Sequence, residues 1–513
     1  MGFYPQNWTF KIPYSARTIP HLGKQNAKTD DRFRNKPLNH GRESLVFVNM
    51  APVLFWFRHD LRLADNPALH AALAKSDATI CVYVLDTEAP DDRREGAASR
   101  WWLHQSLQAL DQSLSRIGGA LVLRRGSPER IVPTLAQEFG VARVFWSHRY
   151  DPLGRGQDAS VRARLTAAGI TTECFNSSLL FEPRDVKTAA DTPFRVFTPF
   201  WRATRALPEP GRPLPAPKAL HTHDAPGDRL EDWALLPTKP DWAGGLRRAW
   251  TPGEIGARRR LDGFLRTLSG YGAARDVPAA EATSRLSPHL HFGEISPRQI
   301  WHALRGREPD SDKFRSELGW REFNHHLLFH HPQLPEAPLD RKFSAFPWRS
   351  DAVGFAAWTK GRTGFPIVDA GMRQLWTTGW MHNRVRMIAA SFLVKHLGID
   401  WRRGAAWFWD TLVDADLANN AANWQWVAGC GADAAPFFRI FNPVLQGEKF
   451  DPDGAYVRRW IPELNRMPDK YIHKPWAAPS DIRRAAKDYP QPILDLATGR
   501  LRALAAFRSL SSP

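Results

Sequence analysis

An α/β domain with a doubly wound parallel sheet, followed by an all-α domain and joined to it by a long Pro-rich linker, is the architecture this 513-residue sequence predicts. Three observations carry it. Between Val53 and Phe175, short apolar runs alternate with helical stretches, the pattern of strand–helix–strand units. Over roughly residues 205–250, Pro208, Pro210, Pro213, Pro215, Pro217 and Pro226 follow one another too densely for a helix interior or a central strand. From Pro252 onward the pattern is helical, with breaks at Pro and Gly, and strand signals do not return. The expected boundaries are 1–49 for an extension, 50–180 for the α/β domain, 181–250 for the linker and 251–513 for the helical domain.

Residues 1–49 are polar and basic without sustained periodicity, the signature of disorder. Asp30, Asp31 and Glu43 argue against a transit peptide. Met50 is the expected natural start, which makes 1–49 disordered or spurious. Val53-Leu54-Phe55-Trp56-Phe57 reads as a buried strand, and Asn66-Pro67-Ala68-Leu69 opens a helix. Ala78 to Leu85 is the second strand, Ser99 to Ile117 a helix, and Ala120 to Leu123 the third strand. Ser127-Pro128-Glu129 caps a further helix with Pro near its first turn. Val141 to Trp146 and Thr171 to Phe175 complete five strands. No G-x-G-x-x-G follows the first strand, so the usual dinucleotide fingerprint is absent from the sheet.

A formal net charge of +17 favours an anionic partner, although a basic protein without a functional patch has the same charge. The 22 Trp exceed ordinary composition and suit base stacking as well as core packing. Cys81, Cys174 and Cys430 form no C-x-x-C and are too few for an all-Cys iron–sulfur cluster, so no disulfide framework and no metal site is expected. No run of 18 apolar residues appears, and a cytoplasmic location is expected.

Several clusters in the helical part bear on chemistry. Thr283-Ser284-Arg285-Leu286-Ser287 offers hydroxyls, consecutive N–H groups and one Arg, which fits a phosphate at a helix start or an ordinary capping turn. Glu317 and Trp320 share one helix face, either as a hydrogen-bonding and stacking pair or on a plain amphipathic helix. Arg386 and Asp414 form an ion pair or two separate surface charges. Asp414-Ala415-Asp416 fits a metal site or solvated acids. From Trp376 through Trp380-Met381-His382-Asn383-Arg384-Val385-Arg386-Met387, then Asp414 to Asn420, Trp424-Gln425-Trp426 and on to Gln446, Arg faces Asp, and Asn and Gln lie near Trp.

Together these segments, with Arg58-His59-Asp60-Leu61-Arg62 after the first strand, resemble the photolyase/cryptochrome family, most closely class I cyclobutane pyrimidine dimer photolyases. The likeness runs from about Pro52 to about Trp476. It implies that FAD, reduced in the active state, lies in the helical domain. Tyr271, Thr283, Ser284, Arg285, Leu286 and Ser287 would hold its pyrophosphate, with Arg321 near its phosphates. Asp416 would meet the ring's imide edge, Asp414 with Ala415 would position Arg386 against the ring, and Asn420 would face N5, with Asn419 one position away. Trp424, Trp401 and Trp348 would pass electrons between flavin and surface. Glu317, Trp320, Met387 and Trp426 would meet a flipped dimer, and Arg275, Asn383, Arg384 and Gln446 would contact DNA. The His382-Asn383 pair differs from the His-His pair of the (6-4) branch. A second chromophore is implied in the cleft between domains, bordered by the Tyr150-Asp151-Pro152-Leu153-Gly154-Arg155 loop, with methenyltetrahydrofolate the default and 8-hydroxy-deazaflavin the alternative. The implied activity is light-driven repair of DNA containing pyrimidine dimers, by a monomer with no obligate protein partner. The alternative is a cryptochrome-like photoreceptor that does not repair.

Overall fold

All five residues of Val53–Phe57 (β1) are buried. A strand apolar on both faces belongs in the middle of a parallel sheet covered by helices on both sides. The computed structural model, which describes residues 51–76, 78–223, 225–307, 309–433 and 438–510, places it there. The expectations for residues 1–49 and Met50 lie outside the described residues. Thr79–Leu85 (β2), Leu121–Arg125 (β3), Arg143–Ser147 (β4) and Thr171–Phe175 (β5) complete an all-parallel sheet of order β3-β2-β1-β4-β5. The strand order reverses between β1 and β4, and the crevice beyond their carboxyl ends is where such sheets bind ligands.

The helices of this half are Pro67–Leu73 (α1), Ala97–Ser115 (α2), Pro128–Glu138 (α3) and Pro152–Ala167 (α4). Leu54 and Trp56 point into one core with Val132, Leu135, Val161 and Leu165 of α3 and α4. Phe55 and Phe57 point the other way, into a core with Leu69, Trp101, Trp102 and Leu107 of α1 and α2. That second core continues into the helical half through Phe292, Trp380 and Val413. Two sequence readings need correction. Ser127 stands at the start of α3, but its side chain makes no capping bond and donates to Glu129 Oε2 at 2.6 Å. The segment expected as a loop at 150–155 is largely helix: Asp151 caps α4 by accepting from Gly154 N–H, and Pro152 supplies the first-turn φ.

The segment between β5 and residue 254 lies partly along the sheet half. Thr79 N–H donates to His221 O at 2.9 Å and Asp228 N–H to Leu123 O at 2.8 Å. It also contains two α-helices, Phe197–Arg205 and Gly244–Ala249, inside the 181–250 stretch expected to be linker. From Glu254–Arg266 to Leu496–Arg508 the chain is helical, and its largest core is formed by residues such as Trp358, Phe392, Trp401 and Trp424. Gly293 joins the halves. It has φ +67°, and a Cβ there would lie 2.1 Å from His59 O, so only glycine fits this approach. Beside it, the buried Arg62 guanidinium donates to Gly293 O, Asp65 O and Ser177 O. Among the described residues, no helix is long and apolar enough to cross a membrane.

Candidate active site

Three segments distant in sequence meet at Asp414. Its Oδ2 accepts from Ser287 Oγ at 2.6 Å and from Arg386 Nη2 at 2.8 Å. Arg386 is fixed by a second bond, Nε to Met381 O at 2.7 Å. Arg386 and Asp414 are therefore a formed pair rather than two isolated charges. The Asp414 carboxylate is 3% exposed, and its Oδ1 has no hydrogen-bond partner. A buried carboxylate oxygen left unbonded is costly, so this position fits a group that brings a donor. Arg386, 24% exposed, retains N–H capacity for an acceptor. Ala415 beside them is buried. A flavin ring carries both donor and acceptor edges, and the donor set fits it.

Asp416 faces other partners. It starts the Leu417–Ala428 helix, where Oδ1 accepts from Asn419 N–H at 2.8 Å and Asn419 Nδ2 at 2.7 Å. Its Oδ2 lies 3.4 Å from His325 Nε2 and 4.0 Å from His291 Nδ1. Burial works to raise its pKa, but His325, His291 and Arg321 outweigh burial and hold the carboxyl well below the usual range. Asp416 is therefore an anion at any physiological pH. Asn419 also accepts from Asn324 Nδ2 at 2.8 Å, whereas Asn420 Nδ2 donates to Ala405 O at 3.0 Å.

The turn 283–287 runs into the Ser287–His291 helix. Arg285 adopts φ +49°, a conformation uncommon for a side-chain-bearing residue, and its guanidinium sits 4.9 Å from the Trp380 ring centre. Ser284 Oγ accepts from Leu286 N–H at 3.3 Å, and Thr283 is half-buried. Tyr271 is buried against Phe264 and Phe314, with Arg275 over its ring. Arg321 donates to Ser178 O at 2.6 Å.

Of the residues expected at DNA, Asn383, Arg384 and Met387 lie on the Asn383–Ser391 helix. Asn383 is exposed at its first turn. Arg384 donates to Asp276 Oδ2 at 2.8 Å, contacts Met387 Sδ at 3.9 Å and covers the Phe450 ring at 4.4 Å. Arg275 and Glu317 are ion-paired with each other, so neither stands free for a phosphate or a base in this arrangement. Trp320 stacks on Phe197 at 3.7 Å and 8°. Trp426 donates to Asp433 O at 3.2 Å, and Gln446 is half-buried on the Pro443–Phe450 helix. Trp401 and Trp424 are buried in one core, and Trp348 packs against it half-exposed. The Trp424 ring contacts are with Phe408 at 5.0 Å and Trp358 at 6.3 Å. His291, His325, Asn324 and Asp276 were passed over in the sequence. Each is one polar residue in a helical segment, and no spacing rule pairs it with a partner so far along the chain.

Across the seam, a cavity of about 290 Å³ opens beyond the carboxyl ends of β1 and β4. Tyr150, Asp151 and Leu153 line its sheet side, and Arg321, His325 and Asp416 its helical side.

A sheet domain carried against a helical domain whose carboxylate–guanidinium pair keeps spare bonding capacity fits a two-domain flavoprotein. The chain belongs to the DNA photolyase family, in which cryptochromes are also found. Residues 53–218 match the model described as DNA photolyase, and residues 314–509 match the FAD binding domain of DNA photolyase. The chain is 53% identical over 476 residues to a deoxyribodipyrimidine photo-lyase of Agrobacterium fabrum, covering 90% of this chain and 99% of that one. It is 40% identical over 471 residues to cryptochrome-1 of Arabidopsis thaliana, covering 88% and 69%. The solved structure of a bacterial class III photolyase from Agrobacterium tumefaciens superposes with a TM-score of 0.88 at 52% identity, covering 91% of this chain and 99% of that one.

Proposed function

We propose that this protein splits cyclobutane pyrimidine dimers in DNA with light absorbed by FAD. The observation that carries the proposal is that one helix start serves two neighbouring sites. Arg386 of the Asn383–Ser391 helix belongs to the Asp414 cradle, while Arg384 of the same helix pairs with Asp276, the chain neighbour of Arg275 in the Arg275–Glu317 pair. Flavin and lesion are thereby held side by side. FAD, when bound, supplies the electron that opens the cyclobutane ring and takes it back. The chain does the rest. Tyr271, Arg285 and Ser287 hold the phosphates, and Asp416, kept anionic, orients the ring. Asn420 gives the ring centre a neutral amide rather than an acid. Trp424, Trp401 and Trp348 conduct electrons from the surface.

Basic residues bind the DNA backbone with strong salt dependence. A pair already weakened by damage costs less to unstack, so a dimer flips into the pocket of Trp320, Trp426 and Met387 more readily than intact bases. The Arg275–Glu317 pair opens on binding, which frees Arg275 for a phosphate and Glu317 for a thymine edge. The class I placement is an expectation from the His382-Asn383 pair. The solved Agrobacterium tumefaciens relative is a class III photolyase, so the proposal is for dimer repair as such. The cavity beyond β1 and β4 is proposed as the antenna site, with methenyltetrahydrofolate ahead of 8-hydroxy-deazaflavin.

The likeness to a plant cryptochrome favours a second reading, a photoreceptor without repair. Asn420 and the Asn383-Arg384 pair favour repair. Oligonucleotides bearing a single lesion separate the readings. Restoration of a cyclobutane dimer but not of a (6-4) photoproduct is expected. Restoration of neither by flavin-loaded protein moves the function to signalling.

A further inference from the structure

We propose that His59, Glu95 and His291 form a binding site for one divalent transition-metal cation at the seam between the two halves. His59 follows β1 by two residues, Glu95 precedes α2 by two, and His291 ends the Ser287–His291 helix. One ligand atom from each lies within 4.8 Å of the others. His59 Nε2 is 3.5 Å from Glu95 Oε1, and His291 Nε2 is 4.0 Å from Glu95 Oε2. Two atoms bound to the same cation at about 2.1 Å stand about 3.3–4.2 Å apart, so these separations need little adjustment.

Three features point to a missing ligand rather than to simple hydrogen bonding. The His291 side chain is 3% exposed, yet neither ring nitrogen has a hydrogen-bond partner. Glu95 Oε2 is also buried without one. Asp416 lies 4.0 Å from His291 Nδ1, on the ring edge away from Glu95 and beyond hydrogen-bonding distance, so it adds negative charge beside the ring without satisfying it. The neighbouring arginines are paired with acids, Arg149 with Asp151 at 2.7 Å, Arg93 with Glu336 at 2.6 Å and Arg94 with Asp91 at 2.9 Å. Although Arg149 still acts against positive charge on His59, Glu95 and Asp416 supply two anions beside the site. Two imidazoles and a carboxylate form a borderline donor set, suited to Zn²⁺ or Fe²⁺ rather than Ca²⁺. No metal site was expected from the cysteines, and these ligands are too far apart in sequence for any metal-spacing motif to show them.

The test uses the full-length, flavin-containing protein stripped with EDTA and titrated with ZnCl₂ by calorimetry. One Zn²⁺ per chain is expected, with nitrogen and oxygen neighbours at about 2.0–2.2 Å and no sulfur by X-ray absorption. His59→Ala and Glu95→Gln, both beside the cavity and gentler on folding than a change at His291, each weaken binding by more than the roughly 10–100-fold typical of outer-shell losses. His148→Ala, in the separate His148, Asp158 and Cys174 group, leaves binding unchanged. Absence of stoichiometric binding by the unaltered protein, binding that survives both His59→Ala and Glu95→Gln, or a sulfur neighbour overturns the site. His59, Glu95 and His291 also line the cavity proposed for the antenna, so these results are read apart from chromophore content and from dimer repair.

Discussion

Each half of the molecule buries an arginine–aspartate pair, and the two are finished differently. Arg58 and Asp158 in the sheet half are sealed, with side chains 4% and 9% exposed. Arg58 also donates to Gln157 Oε1 at 3.1 Å and covers the Trp56 ring at 4.3 Å. Arg386 and Asp414 in the helical half leave the arginine partly open and one carboxylate oxygen unbonded. A pair with no fully buried atom left unbonded ties a fold together. A pair with spare bonding capacity, beside a strained turn such as the one at Arg285, is arranged for a third party.

The largest predicted effect tests the sealed pair. Asp158→Ala leaves Arg58 buried without a counter-charge and should cost about 3–5 kcal/mol in urea unfolding. Asp414→Ala should cost less, because Arg386 reaches solvent, but should lower FAD retained per folded chain. Equal stability losses with unchanged FAD would erase the distinction.

Glu322, behind the helical site, sharpens the comparison through pH. Burial raises its carboxyl from 4.5 to about 7, against the pull of Arg321 and His325 and the N–H groups of Leu180 and Phe181. Between pH 4.5 and 7 the folded state keeps a proton that the unfolded chain has released. Stability therefore falls as pH rises across that window, by up to about 3 kcal/mol. Glu322→Gln should flatten the slope, measured as urea midpoints at pH 5 and pH 7.5. An unchanged slope would show that Glu322 does not carry it.

Smaller effects follow at the lesion face and the cradle. Trp320→Ala should weaken binding to dimer-containing DNA by about 1–3 kcal/mol, the worth of one stacking platform, with undamaged DNA little affected. Equal loss on both DNAs would place the indole outside the lesion pocket. Ser287→Ala removes one bond to Asp414 and should weaken FAD binding by about 1 kcal/mol, read from flavin fluorescence on dilution.

The sheet was legible because burial on both faces turns its strands into unbroken apolar runs, as in Val53–Phe57. Strand ends were less so. β3 continues through Arg124 and Arg125 because it is an edge strand, where charged side chains are tolerated. Residue types left Arg386 and Asp414 as an ion pair or two separate charges, and it was the family resemblance that implied their pairing across 28 positions. What residue types could not give was competition for a partner. Arg275 and Glu317 each suited DNA, and the fold pairs them with each other. Asp416 suited a ligand, and the fold surrounds it with His291 and His325. Such contacts arise from helix packing, not from local sequence.

The most direct measurement incubates the protein, its flavin reduced, with ultraviolet-irradiated oligo(dT) under blue light and in darkness. Recovery of thymine absorbance in the light alone is the predicted result. No recovery in the light, with flavin visibly bound, contradicts the account.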